Sequence, residues 1–277
     1  MKRKSLPTFS TPPLSEVALS VQFEPLQKLV VPEIGLLWQH YGQQFSHVEQ
    51  HPPIDPTIER LGVRAVEGLP KIERLSGPPL PRIWFLDDTK RELLQIQQDR
   101  FVRNWRKINE DDPYPRYDDH IKPRFVEDLA DFEKFIASSD IGKIIPNQCE
   151  VTYINHIVSS EVWSSHSEIH KVFNLILTNN YQSDNLDLED VSFRHRYQIK
   201  DDNGEFIGRL YATAQPAMMQ SDNRPIFVFT LVARGKPLEK GIDGVIRFMD
   251  LGRELIVEIF AESTSTEMHA LWKRLDK

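Results

Sequence analysis

Period-two and period-3.6 patterns of apolar residues alternate along the chain in well-separated blocks. In "EVALSVQFEP" Val17, Leu19, Val21 and Phe23 alternate with Ala18, Ser20 and Gln22, which predicts a half-buried strand that Pro25 helps to end. "VPEIGLLWQHYGQQF" spaces Ile34, Leu37, Trp38, Tyr41 and Phe45 as one helix face, with Pro32 tolerated in the first turn. From "QHPPIDPTIERL" to "SGPPLP" prolines are dense and periodicity is weak, so an extended excursion is expected there. "PRIWFLDD" and "LLQIQQDRFVRNWRK" then read as two antiparallel strands joined at "DDTK". From Tyr117 to about Ser138, Ile121, Phe125, Leu129, Phe132, Phe135 and Ile136 fall on one side of a long helix, with Pro123 marking its first turns or a kink.

After "IPNQ" the pattern starts again. "CEVTYINHIV" repeats the Glu-Val strand opening, two alternating runs flank Asn203-Gly204 as a hairpin, and "RPIFVFTLVARG" supplies another strand. A helix over 243–262 closes the half, followed by a short helical "TSTEMHALWKR" that Thr264 or Thr266 would cap. The order strand, excursion, strands, long helix predicts an α+β fold of two similar subdomains, each an antiparallel sheet packed against a long helix, rather than a doubly wound parallel sheet. The boundaries are a flexible N-terminal arm over 1–13, a first α+β subdomain over 14–145 and a second over 146–277.

The run "LLQIQQDRFVRNWRK" resists a simple strand reading. Read as one strand, one face is Leu94, Ile96, Gln98, Arg100, Val102, Asn104 and Arg106; the other is Leu93, Gln95, Gln97, Asp99, Phe101, Arg103 and Trp105. Neither is cleanly apolar, so either the apolar side switches at a bulge near Asp99-Arg100 or both faces are covered and polar groups pair inside. Two roles fit. Gln97, Arg100 and Asn104 knit the two halves together, or Gln95, Gln97, Arg100, Asn104 and Trp105 line a groove in which guanidinium, amide and indole groups meet a partner or an anionic ligand. Glu150, Tyr153, Asn155 and His156 have the same mixed polarity, and the two stretches together would form one polar seam.

Composition narrows the function classes. The 277 residues are 40% hydrophobic and 27% charged, a globular balance, and the net charge of −7 argues against general binding to nucleic acid or anionic membrane. A single cysteine, Cys149, excludes an internal disulfide and a multi-cysteine metal site and reads as packing. With no apolar stretch of signal-peptide or membrane-spanning length, the expected location is the cytoplasm.

Candidate chemistry is thin. "HSEIH" spaces His166 and His170 one helical turn apart, but the glutamate does not follow the first histidine and no third ligand has a recognisable spacing, so a solvated face is the better reading. There is no nucleophile elbow, cysteine-protease signature, Walker loop or dinucleotide fingerprint. Ser159, Ser160, Ser164 and Ser165 read as loop punctuation, and the adjacent carboxylate pairs Asp87-Asp88, Asp111-Asp112, Asp118-Asp119 and Asp201-Asp202 read as turn and helix-start residues. No catalytic residue, metal ligand or cofactor is assigned.

The succession "PPLSEVALSVQF", "RIWFLDD", "LLQIQQDRFVRNWRK", "NQCEVTYINHI" and "TSTEMHALWKR" resembles a sporadically distributed, functionally uncharacterised bacterial protein family of about this length, over nearly the whole chain. The resemblance implies no reaction, cofactor or partner. Patchy families of this kind often travel with mobile or defence genes, and the lack of a catalytic signature beside arginine- and tryptophan-rich polar strands makes the expectation a non-enzymatic cytoplasmic module that binds another protein, within a bacterial defence or regulatory system. A small-molecule receptor with a cavity between sheet and helix is the alternative, and an unrecognised hydrolase comes third.

Overall fold

The first alternating run folds as strand β1 (Leu14–Phe23) in the computed structural model, which describes residues 5–60, 80–174 and 185–276. The strands that follow are β2 (His47–His51), β3 (Arg82–Leu86), β4 (Glu92–Gln97) and β5 (Arg100–Arg106) in the first half. The second half contributes β6 (Pro146–Val158), β7 (Phe193–Lys200), β8 (Phe206–Met218) and β9 (Pro225–Gly235). Among the described residues they form one nine-stranded antiparallel sheet in the order β2-β3-β4-β5-β1-β6-β9-β8-β7. The halves meet where β1 pairs with β6, so the two Glu-Val strands lie side by side at the centre. That join was expected between the strands beginning near Glu150 and Leu93; the first, β6, does lie at it, but its partner is β1, and β4 and β5 lie on the far side of β1.

The run itself is two strands. A two-residue turn at Gln98-Asp99 reverses the chain, and Gln97 faces Arg100 across the hairpin. Reversal makes residues 97 and 100 neighbours on the same face, so odd positions before the turn share a side with even positions after it. This is why neither face of a continuous strand looked apolar. Leu94, Ile96, Phe101 and Trp105 all lie on one side, and Gln95, Gln97, Arg100 and Asn104 on the other.

The apolar side carries the helices: α1 (Val31–Tyr41), α2 (Lys122–Ser138), α3 (Ile169–Val172), α4 (Ile242–Ser263) and α5 (Thr266–Leu271). Both long helices fall where periodicity placed them. A π-turn over Tyr117–Ile121 leads into α2, and Pro123, which has no N–H to give, sits in that helix's first turn. Phe132 of α2 stacks on Phe101 of β5 with ring centroids 5.3 Å apart, and Phe125 and Phe23 adjoin the same pair. Tyr41 and Trp38 of α1 pack on Phe85 of β3. On the other half α4 lies so close to the sheet that a Cβ at Gly252 would meet Val151 at 3.0 Å and Ala233 at 3.1 Å. Asp250 ties the two long helices together, accepting from the Tyr117 hydroxyl at 3.2 Å and from Lys122 Nζ at 2.7 Å.

Local chemistry fixes the remaining joints. The "DDNG" hairpin forms as expected: Asp201 Oδ1 accepts from the N–H of Asn203 and of Glu205, and Gly204 takes φ +81°. Helix α5 is capped by Ser265, whose Oγ accepts from the Met268 N–H at 3.3 Å; of the two expected caps, Thr264 bonds back to the Phe260 carbonyl and Thr266 is the helix's first residue. Within the segment expected to be an arm, Phe9 is buried against Phe260 and Trp272 and pairs with Arg274.

Two glycine substitutions should move stability in opposite directions. A Cβ at Gly235 would lie 2.5 Å from the Ile207 carbonyl oxygen and 2.5 Å from the Phe248 ring, so Gly235→Ala should destabilise by about 1–3 kcal/mol through overpacking. Gly35, in α1 with nothing within 4 Å, should gain about 0.4–1 kcal/mol on Gly35→Ala. Urea midpoints of the two variants beside the wild type check both signs.

Candidate functional site

The side of the sheet away from the helices is polar, and register explains its layout. Gln97, Arg100, Gln22 and Gln148 are direct cross-strand neighbours on β4, β5, β1 and β6 and form one row. The next row reads Gln95, Val102, Ser20, Glu150, Arg234 and Arg209. Across these rows runs the extended segment Ile54–Arg60. Three inter-strand steps of about 4.8 Å separate β4 from β6, which five extended residues at about 3.2 Å each can span.

The segment is gripped by its backbone. Gln97 Oε1 accepts from the Ile54 N–H at 2.9 Å while its Nε2 donates to the Ile54 carbonyl at 2.8 Å, so one side-chain amide copies the pairing of a neighbouring strand. Gln22 Oε1 accepts from the Thr57 N–H at 2.9 Å, and Gln148 Oε1 from the Glu59 N–H at 3.0 Å. Arg100 donates to Gln22 Oε1 at 2.9 Å and to the Asp55 carbonyl at 3.2 Å. Pro53 and Pro56 have no N–H and hold the intervening backbone extended.

One side chain of the segment is held as tightly as its backbone. Glu59 is 6% exposed; its carboxylate pairs with Arg209 and accepts from the Tyr211 hydroxyl at 2.7 Å, and Arg234 Nη1 lies 3.5 Å away. Arg209 also donates to the Arg60 carbonyl at 2.9 Å. The electrostatic reason is in the register: Arg209 and Arg234 stand directly opposite one another on β8 and β9, and like charges so placed repel. Glu150 neutralises Arg234 from β6, and Glu59 closes over both arginines from above. A polar gap of about 10 Å³, about one water, remains beneath the segment between Arg100, Glu150 and Arg234. Burial and the nearby Arg234 pull the Arg100 guanidinium below its ordinary range, with Glu150 and Asp99 opposing.

The nine residues singled out in the sequence divide between the two sides of the sheet. Gln97 and Arg100 grip the segment. Gln95 and Asn104 belong to a relay from Arg82 through Gln95 (2.8 Å) and Asn104 (2.7 Å) to Glu16 (2.6 Å), all within the first half, so Asn104 does not join the halves. Glu150 pairs with Arg234, and His156 lies further along the same face of β6, half-buried and with its imidazole pulled below the usual range by burial. Trp105, Tyr153 and Asn155 point to the helix side: Trp105 packs on Tyr114, Tyr153 shares a hydroxyl contact of 3.3 Å with Tyr114, and Asn155 donates to the Phe229 carbonyl. His166 bonds the Ile226 carbonyl, and Cys149 is buried, which pushes its thiol up.

Sequence reasoning missed Gln22, Gln148, Glu59, Arg209, Tyr211 and Arg234. The available signal was a single polar residue recurring at alternate positions of otherwise apolar strands, as in "SVQF", "IGRLY" and "VARG". Comparison with family models, curated proteins and solved structures returns no match.

Two outcomes test these contacts. Arg100→Ala removes donors from Gln22 and Asp55 and should cost about 1–3 kcal/mol in urea unfolding. On the helix side, Arg103 faces Asp128 at 3.2 Å, yet burial pushes the Asp128 carboxyl up to about 6, with Arg103 opposing. A carboxyl whose folded pKa is above its unfolded value binds protons more readily when folded, so its contribution to stability is present at about pH 4 and is lost as pH rises towards 6. The pH dependence of stability in that window should be less negative in Asp128→Asn than in the wild type, read as the difference between their urea-midpoint profiles.

Proposed function

We propose that the protein is a non-enzymatic binding module whose polar sheet face holds an extended segment of a protein partner. The observation that supports this most directly is the row of Gln97, Gln22 and Gln148, each accepting a backbone N–H from one extended stretch of chain. Backbone-directed bonds of this kind are the means by which sheet-edge recognition gains affinity, with side-chain pockets adding specificity. Here side-chain amides on a sheet face perform the task of an edge strand. A place in a bacterial defence or regulatory system rests on the family resemblance, and a cytoplasmic one on the want of an apolar stretch of membrane-spanning length in the sequence.

The finer reading of 14–145 and 146–277 as two similar subdomains draws support from the strand order. In each half the first strand lies at the centre and pairs with the last, which pairs with its predecessor, giving β1-β5-β4 and β6-β9-β8 before a long helix on the same side. The alternative function, a small-molecule receptor, draws support from a cavity of about 320 Å³ bordered by Tyr117, Asp118, Asp250 and Arg253. That cavity lies beside the N-terminal Ser5–Thr8 stretch, whereas the sheet–helix contact at Gly235 and Gly252 is close-packed.

Screening the purified chain against an array of unstructured peptides, then mapping bound peptides by amide protection, tests the proposal. Binding that protects or perturbs β1, β4, β5 and β6 is expected. Peptides that bind only elsewhere, or none that bind at all, would overturn it.

A further inference from the structure

The segment Ile54–Arg60 is attached in an unusual way for a structural element. Its hold is almost wholly polar: three glutamine amides and Arg100 on its backbone, and two arginines and a tyrosine on Glu59. Of its two isoleucines, Ile58 is 55% exposed and Ile54 is only partly buried, and Asp55, Pro56, Thr57 and Arg60 are exposed as well. A strap meant to close a core would bury its apolar residues. A segment with few buried apolar contacts opens at low free energy, independently of the sheet beneath it.

The face beneath would not be content without it. Removing the strap leaves the Gln97, Gln22 and Gln148 side-chain carbonyl oxygens without their backbone donors, and takes the Glu59 carboxylate away from Arg209 and Arg234, which stand directly opposite one another. Gln148 is 3% exposed and, among the described residues, its Nε2 has no hydrogen-bond partner even with the strap in place; Arg100, 7% exposed, likewise has an Nε with no partner among them. Both groups border the small gap under the strap. The face is therefore built for an extended chain with a carboxylate at one position, and the strap satisfies it incompletely.

We propose that Ile54–Arg60 is an exchangeable occupant in cis of a groove whose ligand in trans is an extended acidic peptide segment of a partner protein, its glutamate or aspartate entering between Arg209, Tyr211 and Arg234 in place of Glu59. This rests on the peptide-binding reading above and adds to it the chemistry of the occupant and the competition by the chain itself. Strap and partner place their backbone N–H groups on the same glutamine side-chain acceptors, so only one is bound at a time. The carboxylate sets the register, because only one residue of the segment can enter between the paired arginines; the flanking residues, whose side chains face water, are free to vary.

The probe is a fluorescent peptide with the sequence of residues 51–60, HPPIDPTIER, and the same peptide carrying Glu59→Gln. Three full-length chains are compared: the wild type, Glu59→Gln, and one with residues 54–60 replaced by glycine and serine. The glutamate peptide is expected to bind both altered chains at least tenfold more tightly than the wild type, and the glutamine peptide at least tenfold more weakly than the glutamate peptide. Adding Arg209→Ala to the Glu59→Gln chain should erase the preference between the two peptides. In the wild type, the amides of Ile54, Thr57 and Glu59 should exchange with solvent faster than those of β1, and faster still with saturating peptide. Equal affinity for all three chains, no preference for the glutamate peptide, or strap exchange unmoved by peptide would overturn the proposal. If the glycine–serine chain loses its cooperative thermal transition, the Glu59→Gln chain and the wild-type exchange decide it. Array peptides that bind the sheet face with no dependence on the strap would overturn the exchange and leave the peptide-binding reading standing, whereas no peptide at that face removes both.

Discussion

The register that sets Gln97, Arg100, Gln22 and Gln148 side by side across four strands is the constraint on which the polar face depends. It is established by two features of different range. The Gln98-Asp99 turn fixes β4 against β5, and the central pairing of β1 with β6 brings the halves together with Gln22 opposite Gln148. Side chains alternate between faces with a period of two, so a slip of one residue at either point would send these amides into the helix layer and Phe101 or Cys149 into the groove. The apolar packing under α2 and α4 resists that slip. The same contacts that build the core thereby hold the polar row in place.

Each face contains a buried arginine–carboxylate pair, and the difference between them is instructive. Arg103 meets Asp128 in the helix layer, where the acid is carried on α2 among Phe125, Leu129 and Phe132 and moves only if the core opens. Arg209 meets Glu59 on the opposite face, where the acid arrives on a stretch of chain whose neighbouring Ile58 is exposed. Breaking either pair leaves a desolvated charge, a state that proteins avoid by rearranging or by admitting water or another ion. On the helix side the surrounding apolar residues block that escape. On the strap side the acid can leave together with its segment, and the two arginines remain as a site that attracts the next carboxylate.

Much of the architecture could be read from the sequence because periodicity reports burial. Both long helices, β1, β6 and the "DDNG" hairpin lie where the apolar spacing placed them. The run from Leu93 to Lys107 could not be resolved in that way: Gln98 and Asp99 are not the Asn-Gly or Asp-Gly pair that signals a tight turn, so a parity change caused by reversal looked like mixed polarity along one strand. At α5, the sequence Thr-Ser-Thr offers three capping hydroxyls, and only the chain's path into the helix selects Ser265. The residues of the groove were legible only in part. Gln97 and Arg100 stood out because their neighbourhood was crowded with polar groups, whereas Glu59 meets Arg209 across 150 residues and Gln148 across 89. Nothing local in an aperiodic, proline-rich excursion reveals such partners.

A segment tethered beside its own groove has a concentration advantage over any rival. For a short flexible connection the effective concentration is on the order of mM, so a free peptide of equal intrinsic affinity gains appreciable occupancy only near that level. A partner that displaces the strap must therefore offer contacts that the strap lacks. The unpartnered Nε2 of Gln148 and Nε of Arg100 provide places where an acceptor would add to the grip, and both lie beside the arginine pair. A ligand that satisfies them would be favoured over the strap through the same backbone bonds plus these additional ones. Generic extended chains, offering only what the strap already supplies, would remain excluded. The cis occupant thus works as a threshold: it leaves the face closed to weak, sequence-independent encounters and open to an acidic segment that completes the polar network.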